Sequence, residues 1–189
     1  MDKKPLINIF WFRRDLRLDD NAGLYRALKE SSPVLCLFIF DREILDQLED
    51  KDDARVTFIY QTIQKLAADL EKHGSSLLVR YDKAEEAWKG ILKEYAIGTV
   101  YTNHDYEPYA KQRDAKIETL LKKHDIAFKT YKDQVIFEKD EIVKDDGLPY
   151  TVYTPYMRKW YQKLKSFYLE AYPTEKYLGN LYKHKAAAL

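Results

Sequence analysis

Two stretches near the start of the chain are almost continuously hydrophobic. They are residues 6–12, with the sequence LINIFWF, and residues 33–40, with the sequence PVLCLFIF. Because neither stretch alternates between apolar and polar residues, each is expected to form a strand buried on both faces, as in a parallel sheet. Residues 76–81, 98–102 and 126–131 predict three shorter strands, each preceded by Gly, Ser or Asp.

Apolar residues at helical spacing fill the intervals between these strands. Asp19 or Asp20 is predicted to cap a first helix, and Asp53 to cap a longer second helix that ends at Gly74. A third helix lies before the fourth strand, and a fourth begins at Pro108. The resulting order βαβαβαβαβ predicts an α/β fold: a Rossmann-like, doubly wound, five-stranded parallel sheet with helices on both faces.

The pattern changes after the fifth strand. Residues 134–137 are predicted as a sixth extended piece, and residues 153–168 as a helix with an aromatic stripe. Residues 177–189 are expected to form a frayed tail. We therefore predict an α/β domain over residues 1–137 and an interdomain linker with an aromatic helix over residues 138–189.

Composition and charge exclude some classes of protein. The 189 residues carry 32 Lys and Arg against 31 Asp and Glu, a net charge of +1, so no overall field attracts nucleic acid or a membrane. The single cysteine, Cys36, argues against a disulfide framework and favours a reducing, cytoplasmic location. The apolar runs are too short to span a membrane.

Charged residues follow the first strand, at the edge where doubly wound sheets bind their ligands. Residues 13–21 contain three arginines and three aspartates. Arginine can stack on a flat ring and donate paired hydrogen bonds, and nearby acids can hold it in place. The alternative, which spacing alone favours, is a lattice of salt bridges that braces the turn. The absence of a GxGxxG or Walker sequence argues against a dinucleotide-binding dehydrogenase.

Polar residues also follow the fourth strand. Asp105 and Glu107 can accept hydrogen bonds from a ligand, with Tyr106 or Tyr109 beside it. The alternative is helix capping by Asp105, with Glu107 favoured by the helix dipole. His104 has no His or Cys partner nearby, so a metal role is not expected. No nucleophile, base and orienting residue occur at a spacing that supports catalysis.

Basic and aromatic side chains interleave in residues 151–160, a pattern compatible with stacking on single-stranded nucleic acid. Because the aromatic residues fall at helical spacing, a packing face is the favoured interpretation. Left uncovered, the face formed by Tyr156, Trp160, Leu164 and Phe167 is expected to cause self-association.

Three stretches of the chain resemble one family. Residues 11–21, WFRRDLRLDDN, resemble the opening signature of the DNA photolyase and cryptochrome family. Residues 105–114, which contain DYEPY and a later Arg-Asp pair, and residues 149–160, which contain PYTVYTPY, agree with it in the same order. The resemblance covers nearly the whole chain, as far as Trp160.

The resemblance implies an N-terminal α/β domain that can hold a light-harvesting antenna chromophore, joined by a linker to a helical domain that binds FAD. In photolyases of this family, photoexcited reduced FAD passes an electron to a pyrimidine dimer in DNA and splits it. The chain is expected to stop before that FAD-binding domain, so FAD binding and lyase activity are assigned to the rest of the parent protein. The implied partners are the helical domain and, through the parent protein, damaged DNA.

Position also relates individual residues to the antenna site of the family. Asp105 and Glu107 resemble the acidic pair of the deazaflavin or flavin type, with Arg14 as the matching arginine after the first strand. Tyr109 and Ala110 stand where folate-type members carry an Asn-Glu pair. The resemblance therefore favours a deazaflavin or FMN chromophore over a folate, with Tyr109 beside it.

Phe38 and Phe40, at the end of the second strand, are expected either to line the same mouth or to belong to the core. Together these features predict the light-harvesting and scaffold domain of a photolyase, which is not catalytic by itself. Two alternatives stay open: a blue-light signalling cryptochrome module, and a small nucleotide-binding α/β protein. The second is less favoured because it requires a phosphate loop, which the chain lacks.

Overall fold

The computed structural model describes residues 4–50 and 52–185, and five parallel strands form the sheet at its centre. The strand order is β3-β2-β1-β4-β5, and each neighbouring pair is parallel. The strands are β1 (Leu6–Phe12), β2 (Val34–Asp41), β3 (Leu77–Asp82), β4 (Ala96–Asn103) and β5 (Ala127–Tyr131). All five predicted strands are present, and their ends differ from the prediction by at most two residues.

Helices connect the strands and cover both faces of the sheet. Within the described ranges they are α1 (Ala22–Leu28), α2 (Arg42–Leu45), α3 (Ala54–Lys72), α4 (Ala84–Glu94), α5 (Pro108–Lys122) and α6 (Tyr153–Lys163). Helices α4 and α5 pack on one face, and α1 and α3 pack on the other. The predicted doubly wound α/β fold is confirmed. The short α2 was not predicted, because four residues carry too little periodicity.

Strand β1 explains why the hydrophobic runs are continuous. Its odd-numbered residues, including Trp11, pack beneath α4 and α5, whereas Phe10 and Phe12 pack beneath α1 and α3. Trp11 meets Trp88 of α4 edge to face, with ring centroids 5.6 Å apart. Successive side chains of a strand point to opposite faces, so a strand covered on both sides must be apolar at every position.

Helix α1 is capped by Asn21 and not by Asp19 or Asp20. The side-chain oxygen of Asn21 accepts a hydrogen bond from the Leu24 amide at 3.1 Å. Asp20 adopts a left-handed backbone conformation (φ 45°), and its carboxylate instead accepts the Tyr172 amide at 2.8 Å. The predicted N-cap of α1 was therefore wrong, since Asn21 follows Asp20 by one residue. The Asp20 carboxylate instead accepts the long-range hydrogen bond from Tyr172.

The other predicted helix signals are confirmed. The Asp53 carboxylate accepts the Arg55 amide at 2.8 Å and caps α3. Gly74 follows α3 with φ +69°, a conformation that disfavours side chains with a Cβ atom. Pro108 occupies the first turn of α5, where its missing N–H costs no hydrogen bond.

The segment after β5 differs from the prediction in two ways. Residues 134–137 form no strand; the Gln134 side chain donates to the His104 carbonyl at 2.9 Å, and Phe137 packs against aromatic rings. The predicted helix over 153–168 is α6 only as far as Lys163, followed by a 3₁₀ helix over Ser166–Leu169. The backbone extends at Leu164 (ψ 123°), which separates the two.

Residues 174–184 return to the α/β domain, and we call them the return segment. They begin with a 3₁₀ helix over Thr174–Asn180 that packs against α1. Leu181 is 1% exposed and pairs with Val34, and the Tyr182 amide donates to the Val34 carbonyl at 2.8 Å. The predicted frayed tail over 177–189 is therefore wrong for residues 177–184, since an apolar side chain inserts beside β2. Residues 186–189 lie outside the described residues.

None of the helices in the described ranges has both the length and the apolar character needed to cross a membrane. Cys36 is buried in β2, and burial raises the pKa of its thiol, so the neutral thiol packs as a small apolar side chain.

Candidate functional site

The reversal of strand order places a crevice at the carboxyl edge of the sheet. From β1 the chain proceeds outward to β2 and β3, then crosses back to β4 on the other side of β1 and continues to β5, so the order reverses between β1 and β4. Residues that follow β1 and β4 therefore meet across this point, which is where open α/β sheets bind ligands. Both predicted polar groups, residues 13–21 and 104–109, lie here.

Two of the three arginines after β1 are used to build the turn. The Arg13 guanidinium pairs with Asp114 of α5 and donates to the carbonyl of Asn103. Arg17 lies 3.0 Å from both carboxylate oxygens of Asp133, whose side chain is 2% exposed. The salt-bridge interpretation therefore holds for these two arginines.

A buried hydrogen-bond network fixes the turn after β1 to the end of β4. Asn103 donates to the carboxylate of Asp15 at 2.6 Å and to the side chain of Asn21 at 2.9 Å. Its own oxygen accepts the Gly23 amide at 2.8 Å. This network holds the base of the crevice rigid, because nearly every buried polar atom in it has a partner.

A cleft of about 630 Å³ opens beside this turn, between β2, α2, α3 and α5. Much of its wall is apolar and is formed by side chains that include Phe38, Phe40, Ile44, Leu45, Leu48, Val56 and Ile59. The lining also includes the polar residues Arg14, Asp41, Glu43, Asp105, Glu107 and Tyr109. A mostly apolar lining with a few polar groups is typical of sites for small organic ligands, and the volume fits a ring system with a side chain.

Arg14 is the most exposed of the three arginines after β1. Its side chain is 61% exposed and lies 3.7 Å from a carboxylate oxygen of Asp105 and 3.6 Å from one of Glu107. The Asp105 side chain is 9% exposed, and that of Glu107 is 66% exposed. The predicted cap role of Asp105 is limited to accepting the Glu107 amide at 3.3 Å, and its carboxylate also pairs with Arg14.

Tyr109 joins α5 to the start of α2 across the cleft. Its hydroxyl donates to Asp41 at 2.5 Å and is 3.1 Å from a carboxylate oxygen of Glu43. Burial and the bond to the Asp41 carboxylate raise the pKa of the Tyr109 phenol, so the hydroxyl keeps its proton. This part of the cleft therefore offers a ligand the oxygen atoms of Asp41, Glu43 and Tyr109 as hydrogen-bond acceptors.

Phe38 and Phe40 of β2 were expected either to line the ligand site or to belong to the core, and the structure combines the two roles. Phe38 is 6% exposed and belongs to the core, and Phe40 is half-buried; their rings meet edge to face at 4.9 Å. Both side chains line the cleft. Phe40, being closer to the carboxyl end of β2, contributes more open surface.

Several residues of the cleft were missed by the sequence analysis. Asp41 and Glu43 directly follow β2 at the ligand-bearing edge, and this position was the available signal. Trp11 and Arg113 lie in two of the stretches that resemble the family, but neither was named as a site residue. Arg113 lies over the Trp11 ring at 4.9 Å.

His104 does not line the cleft. Its Nδ1 atom lies 2.8 Å from the carboxylate of Glu138, and its Nε2 atom lies 3.0 Å from the Thr130 hydroxyl. The histidine thus joins the end of β4 to the segment after β5.

Comparisons with known proteins agree with this geometry. The family described as DNA photolyase matches residues 8–176. A deoxyribodipyrimidine photo-lyase of Synechococcus sp. is 35% identical over 152 residues, which are 80% of this chain and 31% of that protein.

Two solved photolyases share the fold. That of Sulfolobus tokodaii is 34% identical with a TM-score of 0.64, over 72% of this chain and 31% of its own. A bacterial class III photolyase from Agrobacterium tumefaciens is 26% identical with a TM-score of 0.73, over 87% of this chain and 33% of its own.

The chain spans about a third of the length of each of these three relatives. The family match nonetheless covers most of its residues, including both polar groups at the carboxyl edge. With the doubly wound sheet and the crevice beside β1, this shows that the chain belongs to the DNA photolyase family.

Proposed function

We propose that this chain is the light-harvesting and scaffold domain of a photolyase and that its cleft binds a flavin-type antenna chromophore. The observation that carries the proposal is that Arg14, Phe40, Asp105, Glu107 and Tyr109 all line one cleft. We propose light-driven, FAD-dependent repair of pyrimidine dimers in DNA as the activity of the protein that contains this domain.

The charges of the cleft support a flavin-type ligand over a folate. Four carboxylates line it against three arginines, of which Arg13 and Arg113 are both paired with Asp114, and Arg14 is the one that pairs with carboxylates of the described lining, Asp105 and Glu107. Carboxylates accept hydrogen bonds, so the cleft suits the ring N–H and chain hydroxyls of a flavin or deazaflavin. The glutamate carboxylates of a folate would be repelled.

A related photolyase offers a parallel. The Sulfolobus tokodaii structure contains two FAD molecules, with the implication of a novel light-harvesting cofactor. We therefore include FAD with FMN and a deazaflavin among the candidate ligands.

We assign each group of lining residues a role toward the chromophore. The apolar wall from Phe40 to Ile59 would exclude water from the ring, and Asp105 and Glu107 would orient it. When bound, the chromophore would absorb light and supply excitation energy to FAD in the parent protein. Rigid placement by the hydrogen-bonded base of the crevice would keep its orientation constant.

The proposal is tested by an absorbance and fluorescence titration with FMN, FAD, a deazaflavin and a reduced folate. Saturable binding of a flavin-type ligand is expected. Asp105→Asn should weaken it about tenfold, because a hydrogen bond to a charged group contributes about 1.5–3 kcal/mol. Glu107→Ala should weaken it less, since that side chain is 66% exposed to solvent.

Glu71→Ala is the matched control, because Glu71 is an exposed carboxylate near the far end of α3 and is not among the residues lining the cleft. Binding that is equal in all variants would exclude this cleft. If none of the four ligands binds the wild-type chain, the antenna proposal fails and a scaffold role remains.

A further inference from the structure

The loop that carries Asp105 and Glu107 has few bonds of its own. It covers residues 104–107, between β4 and α5, and its internal bond joins the Glu107 amide to the Asp105 carboxylate at 3.3 Å. Glu107 flanks the start of α5 with extended backbone (φ −63°, ψ 142°) and does not cap it with its side chain. Contacts with other segments must therefore hold this loop.

Side chains alternate along the loop. Asp105 and Glu107 line the cleft, whereas His104 and Tyr106 contact the segment after β5. Such alternation is what extended backbone produces, since successive side chains point to opposite sides. An anchor on one side of the loop therefore fixes the direction of the two carboxylates on the other.

The side chains of His104 and Tyr106 both contact Glu138. Its Oε2 atom accepts the Tyr106 hydroxyl at 2.7 Å and lies 2.8 Å from His104 Nδ1. The side chain of Glu138 is 13% exposed, and that of His104 is 22% exposed. Two further hydrogen bonds hold the His104 backbone: its amide donates to the carbonyl of Tyr131 at the end of β5 at 2.7 Å, and its carbonyl accepts the Gln134 side chain at 2.9 Å.

The anchor is charge-assisted. Burial of Glu138 raises its pKa, but the hydrogen bonds from Tyr106 and His104 outweigh burial and leave the pKa below its usual value. Burial, together with the bond to Glu138, raises the pKa of the Tyr106 phenol. The carboxylate is therefore ionised and the phenol protonated near neutral pH, which makes the Tyr106–Glu138 bond one of the stronger kind.

Glu138 is itself held by a second carboxylate. Its amide donates to Glu141 at 2.7 Å, and the Glu141 carboxylate also accepts Lys132 at 2.6 Å. Lys163 of α6 donates to the Glu141 carbonyl at 2.6 Å. The chain of contacts thus runs from α6 through the segment at 138–141 to the loop that lines the cleft.

We propose that Glu138 is a positioning residue for the cleft: it holds residues 104–107 so that Asp105 and Glu107 face the ligand, and this contact thereby sets the affinity of the site. This inference rests on the proposed function, because it assumes that a flavin-type ligand occupies the cleft. It adds a residue that does not touch the ligand.

The test combines FMN titration with hydrogen exchange of the ligand-free protein. Glu138→Ala is expected to raise the Kd for FMN about tenfold and to speed exchange of the amides in residues 104–107. Glu138→Gln, which keeps a neutral carbonyl acceptor for Tyr106, should restore part of the affinity, and Tyr106→Phe should lose about threefold. At saturating FMN the absorption maximum of Glu138→Ala should move toward that of free FMN.

Asp140→Ala is the matched control, because Asp140 is an exposed carboxylate two residues away without a side-chain partner in the described part of the chain. It should leave the Kd, the absorption maximum and the exchange rates unchanged. A general loss of stability would lower the melting temperature of a variant without moving the absorption maximum of bound FMN.

The outcomes separate this inference from the proposed function. If FMN binds and Glu138→Ala matches Asp140→Ala in Kd and absorption maximum, Glu138 is not a positioning residue, while the antenna proposal stands. If the wild-type chain binds no flavin, the antenna proposal fails and a positioning role toward a chromophore fails with it. In that case, unchanged hydrogen-exchange rates of the amides in residues 104–107 of Glu138→Ala would also show that Glu138 does not hold this loop.

Discussion

Gly23 lies where α1 passes closest to the end of β4. A Cβ atom built on Gly23 would stand 2.6 Å from the side-chain oxygen of Asn103 and 2.9 Å from the Phe10 ring. Neither neighbour can move freely, because Asn103 is hydrogen-bonded to Asp15 and Asn21 and the ring is buried. The hydrogen bond from the Gly23 amide to the Asn103 side chain, at the base of the crevice, requires this close approach.

Gly23→Ala is therefore expected to destabilise the protein by about 1–3 kcal/mol, as overpacking of a core does. Gly90→Ala in α4 is the matched control: a Cβ atom there meets no heavy atom within 4 Å, and the change should stabilise the helix by about 0.5–1 kcal/mol. Urea unfolding of the three proteins measures both effects. Equal midpoints for the two variants would contradict the assigned contact.

The return segment shows how an element is stabilised by contacts that its own sequence does not reveal. Leu181 is inserted beside β2 at a point where β3 has not yet begun, so it covers an otherwise open edge. The Asn180 side chain lies within hydrogen-bond distance of the carbonyls of residues 28, 30 and 32, at 2.8–3.3 Å, and secures the end of α1.

Leu181→Ala should cost about 2–4 kcal/mol, because it removes a fully buried aliphatic side chain from the core. Leu169→Ala, which shortens a side chain that is 66% exposed, should change the free energy of unfolding by less than about 0.5 kcal/mol. Thermal and urea unfolding provide the measurement. A small effect of Leu181→Ala would mean that the return segment is detached in solution.

On the scale of the whole molecule, the surface of α6 and the following 3₁₀ helix stays open. In the described structure α6 has no buried residue; Trp160 contacts Phe137 at 5.5 Å, whereas Tyr156 is 37% exposed and Phe167 is 68% exposed. Of the four residues predicted to drive self-association, Tyr156 and Phe167 therefore offer the greater area, and Trp160 and Leu164 are partly covered. Self-association stays a prediction.

We expect the weight-average mass in sedimentation equilibrium to rise with protein concentration. The double variant Tyr156→Ser, Phe167→Ser should raise the dissociation constant at least about tenfold, since burying one aromatic side chain contributes about 1.5–3 kcal/mol. Phe58→Ser is the control, because Phe58 is also 68% exposed but lies on α3. A wild-type chain that remains monomeric at the highest concentration would exclude this surface as an interface.

The strands and most of the helices were predictable because their signals are local. Burial on both faces forces continuous hydrophobic runs in β1 and β2, and Asp53, Gly74 and Pro108 act through backbone groups within a few residues. The same alternation of elements determines the parallel sheet and hence the edge at which polar residues gather. For that reason the polar groups after β1 and β4 could be named from their positions, whereas Arg14 was singled out by the resemblance to the family.

Tertiary structure decided the partners of those polar side chains. Arg13 and Arg17 could not be separated from Arg14 by spacing, because their partners, Asp114 and Asp133, lie about a hundred residues away in the chain. The same holds for Glu138, which meets His104 only when the segment after β5 folds back. The sequence by itself determined the family, the sheet and its ligand-bearing edge, since these follow from local pattern. The partner of each charge at that edge was decided by long-range contacts, because a hydrogen bond depends on distance in space and not along the chain.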